Sequence, residues 1–223
     1  MSDFVGLEEI DLVVENFAEE YGGDWSRLKA EVEGIGRTDE HRKLATAKVH
    51  VILKDEDCDV IGDRAFWRSK NLWKVTAMHA LEVGVSAFSF CKILTEATLP
   101  AVKNVAEGSF SDCRNLTNVR LPNATSIGVI AFFECYTLRH VTLHPTVAIA
   151  TKAFISSTSL EVLATCAGFE LDTGDRYHCT IRLDPSVAIT NYLKSQNELD
   201  RQQRDVFLTY NLMLALCNHH IDK

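Results

Sequence analysis

Apolar residues recur along the middle of this chain with a period of 22 residues. Phe66, Phe88, Phe110, Phe132 and Phe154 hold one position, and six residues after each stands Leu72, Leu94, Leu116, Leu138 or Leu160. Five residues before each phenylalanine is a β-branched residue (Ile61, Val83, Val105, Ile127, Ile149), and immediately before it a small one (Ala65, Ala87, Ser109, Ala131, Ala153). Gly or Ala at 62, 84, 106, 128 and 150 completes the unit. A single such unit cannot bury its own apolar face, so successive units must coil and stack, with equivalent residues about 4.8 Å apart. Each column is therefore predicted to be a buried ladder. Within Leu116–Pro122 the apolar Val119 and Leu121 alternate with polar Asn118 and Arg120, the period of a short half-buried strand. Pro122 ends that strand because it has no N–H to donate. Ala97, Leu99 and Pro100 repeat the pattern, as do Val141 and Leu143, where His144 moves the stop to Pro145.

The flanks differ. Leu7, Ile10, Val14, Phe17, Ala18 and Tyr21 fall on one helical stripe ended by Gly22-Gly23. Asp24 is placed to cap a second helix through Val32, with Trp25, Leu28 and Val32 facing inward. A further helical turn from Asp39 leads into a strand at Lys48–Leu53, and Leu53 lies 22 residues before Val75 as an incomplete first coil. After Thr165 the pattern breaks. Asp184-Pro185 starts a helix, and a longer one is predicted from Glu198 to Cys217. Val206, Phe207, Tyr210, Met213, Leu214 and Cys217 line one stripe of it, while Leu208, Leu212 and Leu216 line another. One cap contact needs only one stripe. The second predicts packing on the N-terminal helices or an interface that makes a homodimer or larger assembly. The expected organisation is a helical N-terminal cap over 1–47, a solenoid over 48–166 and a loop with a helical cap over 167–223.

The repeated unit, Ile-Gly-x-x-Ala-Phe-x-x-Cys-x-x-Leu-x-x-Val-x-Leu-Pro, resembles the BspA-like, TpLRR-type leucine-rich repeats over residues 60–166. The commoner leucine-rich repeat places Asn or Cys where this chain has Ala124. The resemblance implies an α/β repeat solenoid, a right-handed leucine-rich-repeat coil with a short parallel sheet on its concave side and helical caps. It also implies a binding role, in a family often displayed as cell-surface adhesins. No export signal, wall anchor or long repeat array is seen in this sequence, so the expected location is the cytoplasm, with the cell surface as the alternative.

Composition narrows the chemistry. With 23 Lys and Arg against 31 Asp and Glu the net charge is −8, and no basic run offsets it, which disfavours nucleic acid. No apolar stretch reaches the ~18 residues of a membrane span. Seven cysteines, an odd number, suit reduced thiols. Cys91, Cys113 and Cys135 share one repeat position with Ser69 and Ser157, so size and weak donation to carbonyls, rather than metal or redox chemistry, explain that column. Asp55, Asp57 and Asp59 lack the Gly and Glu of a calcium loop and read as a solvated acidic turn. His140 and His144 flank a strand rather than share a helix face, and Cys166, His178 and Cys179 have no partner doublet, so neither set makes a zinc site. Gly34-Ile-Gly36 lacks the setting of a phosphate cradle, and no nucleophile elbow occurs. No cofactor, metal or catalytic residue is expected. The enzyme alternative would need a pocket between a cap and the coil holding Asp175, His178 and Cys179.

What remains is the outward row of the predicted sheet. Its columns hold Lys74, Glu96, Asn118, His140 and Val162, then Thr76, Thr98, Arg120, Thr142 and Ala164, with Trp73 and Arg139 at strand entries. Trp67, Phe90, Phe133 and Ile155 offer a rival apolar surface on the convex side. The function expected is a non-enzymatic scaffold. It would bind a protein partner, an acidic segment, through Trp73, Lys74, Thr76, Glu96, Thr98, Asn118, Arg120, Arg139, His140 and Thr142.

Overall fold

The protein is described here from a computed structural model that covers residues 7–144, 147–157, 159–163 and 180–181. Two parallel sheets run along a stack of coils. The larger contains, in spatial order, β1 (Glu9–Val14), β2 (Lys48–Leu53), β4 (Leu72–Ala77), β6 (Glu96–Thr98), β8 (Asn118–Leu121), β10 (His140–Leu143), β12 (Glu161–Leu163) and β13 (Thr180–Ile181). The smaller consists of two-residue strands: β3 (Val60–Ile61), β5 (Glu82–Val83), β7 (Asn104–Val105), β9 (Ser126–Ile127) and β11 (Ala148–Ile149). It is built on the β-branched column before the phenylalanines, whose residues turn inward while their neighbours face water. The C-terminal helices expected from Asp184 and over Glu198–Cys217 lie outside the described residues.

Each coil contributes one rung to every ladder. Along β8, Val119 and Leu121 are buried and Arg120 is exposed, as the alternation requires, and the strand stops before Pro122. Phe66, Phe88, Phe110, Phe132 and Phe154 stack with ring centroids 5.5, 5.0, 5.2 and 4.9 Å apart and planes within 13° of parallel. Burying a phenylalanine contributes about 1.5–3 kcal/mol, and a stacked pair adds about 0.5–1.5 kcal/mol. The column is thus the main axis of cohesion.

The turns around these phenylalanines are held by a backbone device. In the first, Arg64, Phe66 and Arg68 donate their N–H groups to the carbonyls of Val85, Ala87 and Ser89 one coil on, at 2.9, 2.7 and 2.9 Å. Alternate residues reach the next coil only because the positions two before and two after each phenylalanine have positive φ. Arg64, Ser86, Gly108, Ile130 and Lys152 fill the first of these, and Arg68, Phe90, Asp112, Glu134 and Ser156 the second. Most of these are side chains that avoid the left-handed region, where each costs about 1–2 kcal/mol. The inter-coil hydrogen bonds hold them there.

The N-terminal flank departs from the helical expectation in its first half. Residues 9–14 form β1 rather than helix, paired parallel to β2 from Glu9↔Lys48 to Val14↔Leu53. Ile10, Leu12 and Val14 also alternate with period two, and the exposed edge of β2 offered a ladder that outweighed the helical stripe. Helix begins at α1 (Phe17–Tyr21), capped by Asn16 and closed by Gly22 at φ 66°. Next come α2 (Trp25–Val32), capped as expected by Asp24, and α3 (Asp39–Ala45). The coil register of β2 also differs: Val49 pairs with Leu72 and, past an irregularity, His50 with Lys74, so that Leu53 meets Ala77, not Val75. From His50 onward the slip is two residues, which leaves each side chain on its expected face.

These helices close the end of the phenylalanine column. The Trp25 indole stands edge-on to Phe66 at 5.8 Å and tilted against Phe17 at 4.2 Å, with Tyr21 beyond. Gly62 makes the fit possible, since a Cβ there would lie 2.6 Å from the indole. Asp55 is not the solvated acid expected: it is buried, and its carboxylate accepts from the N–H groups of Phe17 and Asp57 at 2.6 and 2.9 Å.

The cysteine column is a hydrogen-bonded ladder. Cys91, Cys113 and Cys135 donate to the carbonyls of Phe66, Phe88 and Phe110 on the preceding coil at 3.0, 3.0 and 3.1 Å, and Ser157 to Phe132 at 2.8 Å. Burial pushes the Cys91 thiol up to about 12 and moves Cys113 and Cys135 upward as well. The folded chain therefore holds these protons over a range where the unfolded chain releases them. The stabilisation is complete below the unfolded thiol value and is lost as pH rises. Unfolding titrations are expected to show stability falling from about pH 9, by about 1 kcal/mol per pH unit for each fully buried thiol. A flat profile between pH 8 and 10, beside a Cys91→Ser, Cys113→Ser, Cys135→Ser variant, would contradict this.

Candidate binding surface

The outward face of the larger sheet divides into two halves of different electrostatic character. Over β1, β2 and β4 the charges are satisfied within the molecule. Glu9 pairs with Lys48 at 3.7 Å, Asp11 with His50 at 3.1 Å and Glu15 with Lys54 at 3.0 Å. All three pairs span the same sequence separation because β1 and β2 run parallel in unbroken register. The other ring nitrogen of His50 meets Thr76 Oγ1 at 3.0 Å. Lys74 pairs with Glu96 at 3.5 Å, and its Nζ lies 4.2 Å from the centre of the Trp73 ring, with Lys48 Nζ at 5.3 Å. Lys74, Thr76 and Glu96, three of the residues expected to meet a partner, thus spend polar capacity on neighbours, and Trp73, a fourth, carries lysine ammonium groups beside its ring.

The third and fourth coils are different. Arg120 projects from the centre of β8 and is exposed, as are Arg139 and His140. Asn118 is in register with His140, and Arg120 with Thr142, so Arg120 and His140 are diagonal neighbours about 7–8 Å apart. Arg139 stands at the entry to β10, its N–H donating to the Thr117 carbonyl at 3.0 Å. Among the described residues neither guanidinium forms an ion pair. Thr98, partly buried, lies in register between Thr76 and Arg120. The last coil is one residue shorter than expected at this face: His140 aligns with Glu161 and Thr142 with Leu163, in place of Val162 and Ala164. The shift brings Val162 into register with buried Val141, keeping apolar positions in one column.

Sequence reasoning missed Glu9, Asp11, Lys48 and His50 as part of this face because residues 9–14 read as helix. The alternating acids at 9, 11 and 15 against the bases at 48, 50 and 54 were the available signal. On the rival surface Trp67, Phe90, Phe133 and Ile155 are partly buried, and Arg68 covers Trp67 and Phe90 with its guanidinium at 4.5 and 5.3 Å from the ring centres. Among the described residues no three His, Cys, Asp or Glu side chains converge as metal ligands. Nor, among them, is any helix long and apolar enough to cross a membrane. Cys166, His178, Cys179 and Asp175 lie outside the described residues.

Three solved structures are similar to the chain. The leucine-rich repeat protein TpLRR of T. pallidum is 24% identical over 51% of this chain and 57% of its own, with a TM-score of 0.47. A leucine rich cell surface protein of Faecalibacterium prausnitzii is 25% identical over 52% and 38%, with a TM-score of 0.42. A leucine-rich repeat protein of Eubacterium ventriosum is 19% identical over 56% and 33%, with a TM-score of 0.43. The chain therefore spans between a third and somewhat over half of these proteins. No curated protein matches it. The family model for the BspA type leucine rich repeat region, in six copies, matches residues 47–168. With more than half of its length accounted for by that model, the chain belongs to the BspA type leucine-rich repeat family.

Proposed function

We propose that this chain is a non-enzymatic interaction scaffold. It takes an acidic segment of a partner protein on the outward face of the larger sheet, at the third and fourth coils. Arg120, Arg139 and His140 form the centre of that contact, with Asn118, Thr98 and Thr142 as hydrogen-bonding neighbours. The observation that carries the reading is the contrast along the sheet. Lys48, Lys54 and Lys74 of the first coils are neutralised by Glu9, Glu15 and Glu96, while among the described residues Arg120 and Arg139 are left uncompensated in a protein of net charge −8. An uncompensated cation on a regular strand attracts an acidic partner without first breaking an internal pair, and rim charges of this kind govern encounter and salt dependence. The odd number of cysteines, seven, supports an intracellular location; labelling of intact cells with an impermeant reagent distinguishes this from surface display.

The test is mass spectrometry of proteins that co-purify from the native cells with the tagged chain and with an Arg120→Glu, Arg139→Glu variant. A stoichiometric partner is expected with the parent protein and is expected to fall about tenfold or more in the variant. Equal recovery from both would remove the sheet face as the contact. Because both side chains are exposed, the variant should keep its thermal midpoint, which separates loss of binding from loss of fold.

A further inference from the structure

A second cationic surface lies off the sheet, on the turns that carry Phe66 and Phe88. Arg64, Arg68, Lys70 and Lys92 are all exposed there, and among the described residues none of the four forms an ion pair. This sets them apart from Arg114 further along, which is held by Asp112 at 3.0 Å and Glu134 at 2.8 Å. The four are brought together by the repeat. Arg64 and Arg68 bracket the first phenylalanine of the column, and Lys70 and Lys92 hold the same position on adjacent coils.

Aromatic rings fix the geometry of the patch. The Arg68 guanidinium lies 4.5 Å from the Trp67 ring centre and 5.3 Å from that of Phe90 one coil on, and Arg64 lies 6.0 Å from Trp67. A guanidinium resting on ring faces keeps its N–H donors free in its own plane, where they match the two oxygens of a carboxylate. The side chain gives up rotamer freedom before any ligand arrives, so less is lost on binding. Trp67 is itself anchored: its carbonyl accepts from Lys29 Nζ at 2.5 Å, and that lysine is 3.9 Å from Glu33. Partly exposed Trp and Phe beside an oriented Arg is the composition in which binding energy concentrates at interfaces.

We infer that the turn surface formed by Arg64, Trp67, Arg68, Lys70, Phe90 and Lys92 is a docking site for a short acidic peptide segment with apolar side chains between its carboxylates. Charge complementarity selects this occupant. The patch is small, with Glu33 at the end of α2, Asp63 immediately before Arg64 and Glu82 on β5 around it, so a long polyanion such as nucleic acid would extend into repulsive field. A short peptide places its charge only where the cations are, and its apolar side chains have the exposed parts of Trp67 and Phe90 to cover. The site is separate from the sheet face, and either can fail without the other.

The experiment is a two-dimensional NMR titration of the full chain with a synthetic peptide of about ten residues alternating Glu and Leu. It follows the Trp67 indole resonance, assigned with a Trp67→Phe variant. That resonance is expected to move saturably, and the affinity to weaken several-fold between about 50 mM and about 300 mM salt. Arg64→Glu with Arg68→Glu should weaken binding about tenfold or more. Lys70→Glu with Lys92→Glu, which leaves the stacked arginine in place, should weaken it less. Arg120→Glu with Arg139→Glu should leave the Trp67 response within about twofold of the parent. An indole resonance that stays fixed at excess peptide overturns the inference. So does an unchanged response in the Arg64, Arg68 variant, or an oligothymidine of the same length binding as tightly as the peptide.

Discussion

Phe110→Ala is expected to remove about 3–5 kcal/mol of unfolding free energy, the range for emptying a fully buried aromatic site. Phe110 is the central ring of five, with Phe88 at 5.0 Å and Phe132 at 5.2 Å, and it has no exposed surface. Neighbouring coils cannot close over the gap, because hydrogen bonds from Phe88, Phe110 and Phe132 to the following coils fix their spacing. The loss is also topological. In a stack whose units touch only their neighbours, weakening the middle interface uncouples the two halves, so cooperativity should fall along with stability. Urea titrations followed by far-ultraviolet dichroism should show an earlier midpoint and a shallower transition. A cost below about 1 kcal/mol with an unchanged slope would mean that the ring column is not the axis of cohesion.

The second large effect belongs to the cap. Trp25→Ala should cost about 3 kcal/mol, since it deletes the edge-on contact with Phe66 and the contact with Phe17 together. It should also change the solution behaviour of the protein. Uncovering the first ring of the column exposes an apolar end of a stacking array, and such ends associate. Light scattering should therefore show concentration-dependent growth in the Trp25→Ala protein that is absent from the parent. A destabilised but strictly monodisperse variant would mean that Tyr21 and the helices shield the end without the indole.

These two residues mark what could be read from the chain. Phe110 was legible because a stack needs the same side chain at the same place in every coil, so the physical requirement writes itself as a period. The phenylalanine, leucine and cysteine columns, the strand at 118–121, the end of α1 at Gly22 and the Asp24 cap of α2 follow from that period or from local capping. β1 was not legible, since Ile10, Leu12 and Val14 serve a helix face or a strand face equally well and only the open edge of β2 decides between them. The paired left-handed positions left almost no trace, because inter-coil hydrogen bonds impose the backbone and permit Arg, Ile, Phe or Glu there. Only Gly108 is the residue that conformation favours. The candidate face was legible as a set of positions but not as a balance of charges. Which cations remain uncompensated depends on the β1–β2 register, a long-range property that no local pattern carries.

The side-chain ladders share one direction. Cys91, Cys113, Cys135 and Ser157 all donate to a carbonyl on the coil made before their own, as do Thr95, Thr117, Thr125, Asn115 and Asn123. Ser69, on the first complete coil, is buried with its hydroxyl unused, while Asn71 takes the Leu44 carbonyl of the cap. A ribosome releases the chain in that same order. Each emerging coil finds the acceptors of its side chains already in place on the one before it, while its turn N–H groups are the part completed by the coil that follows, so assembly during synthesis can proceed by addition of one coil at a time. A coil waiting for its successor lacks few side-chain partners, and what it still offers the next coil is a row of turn N–H donors.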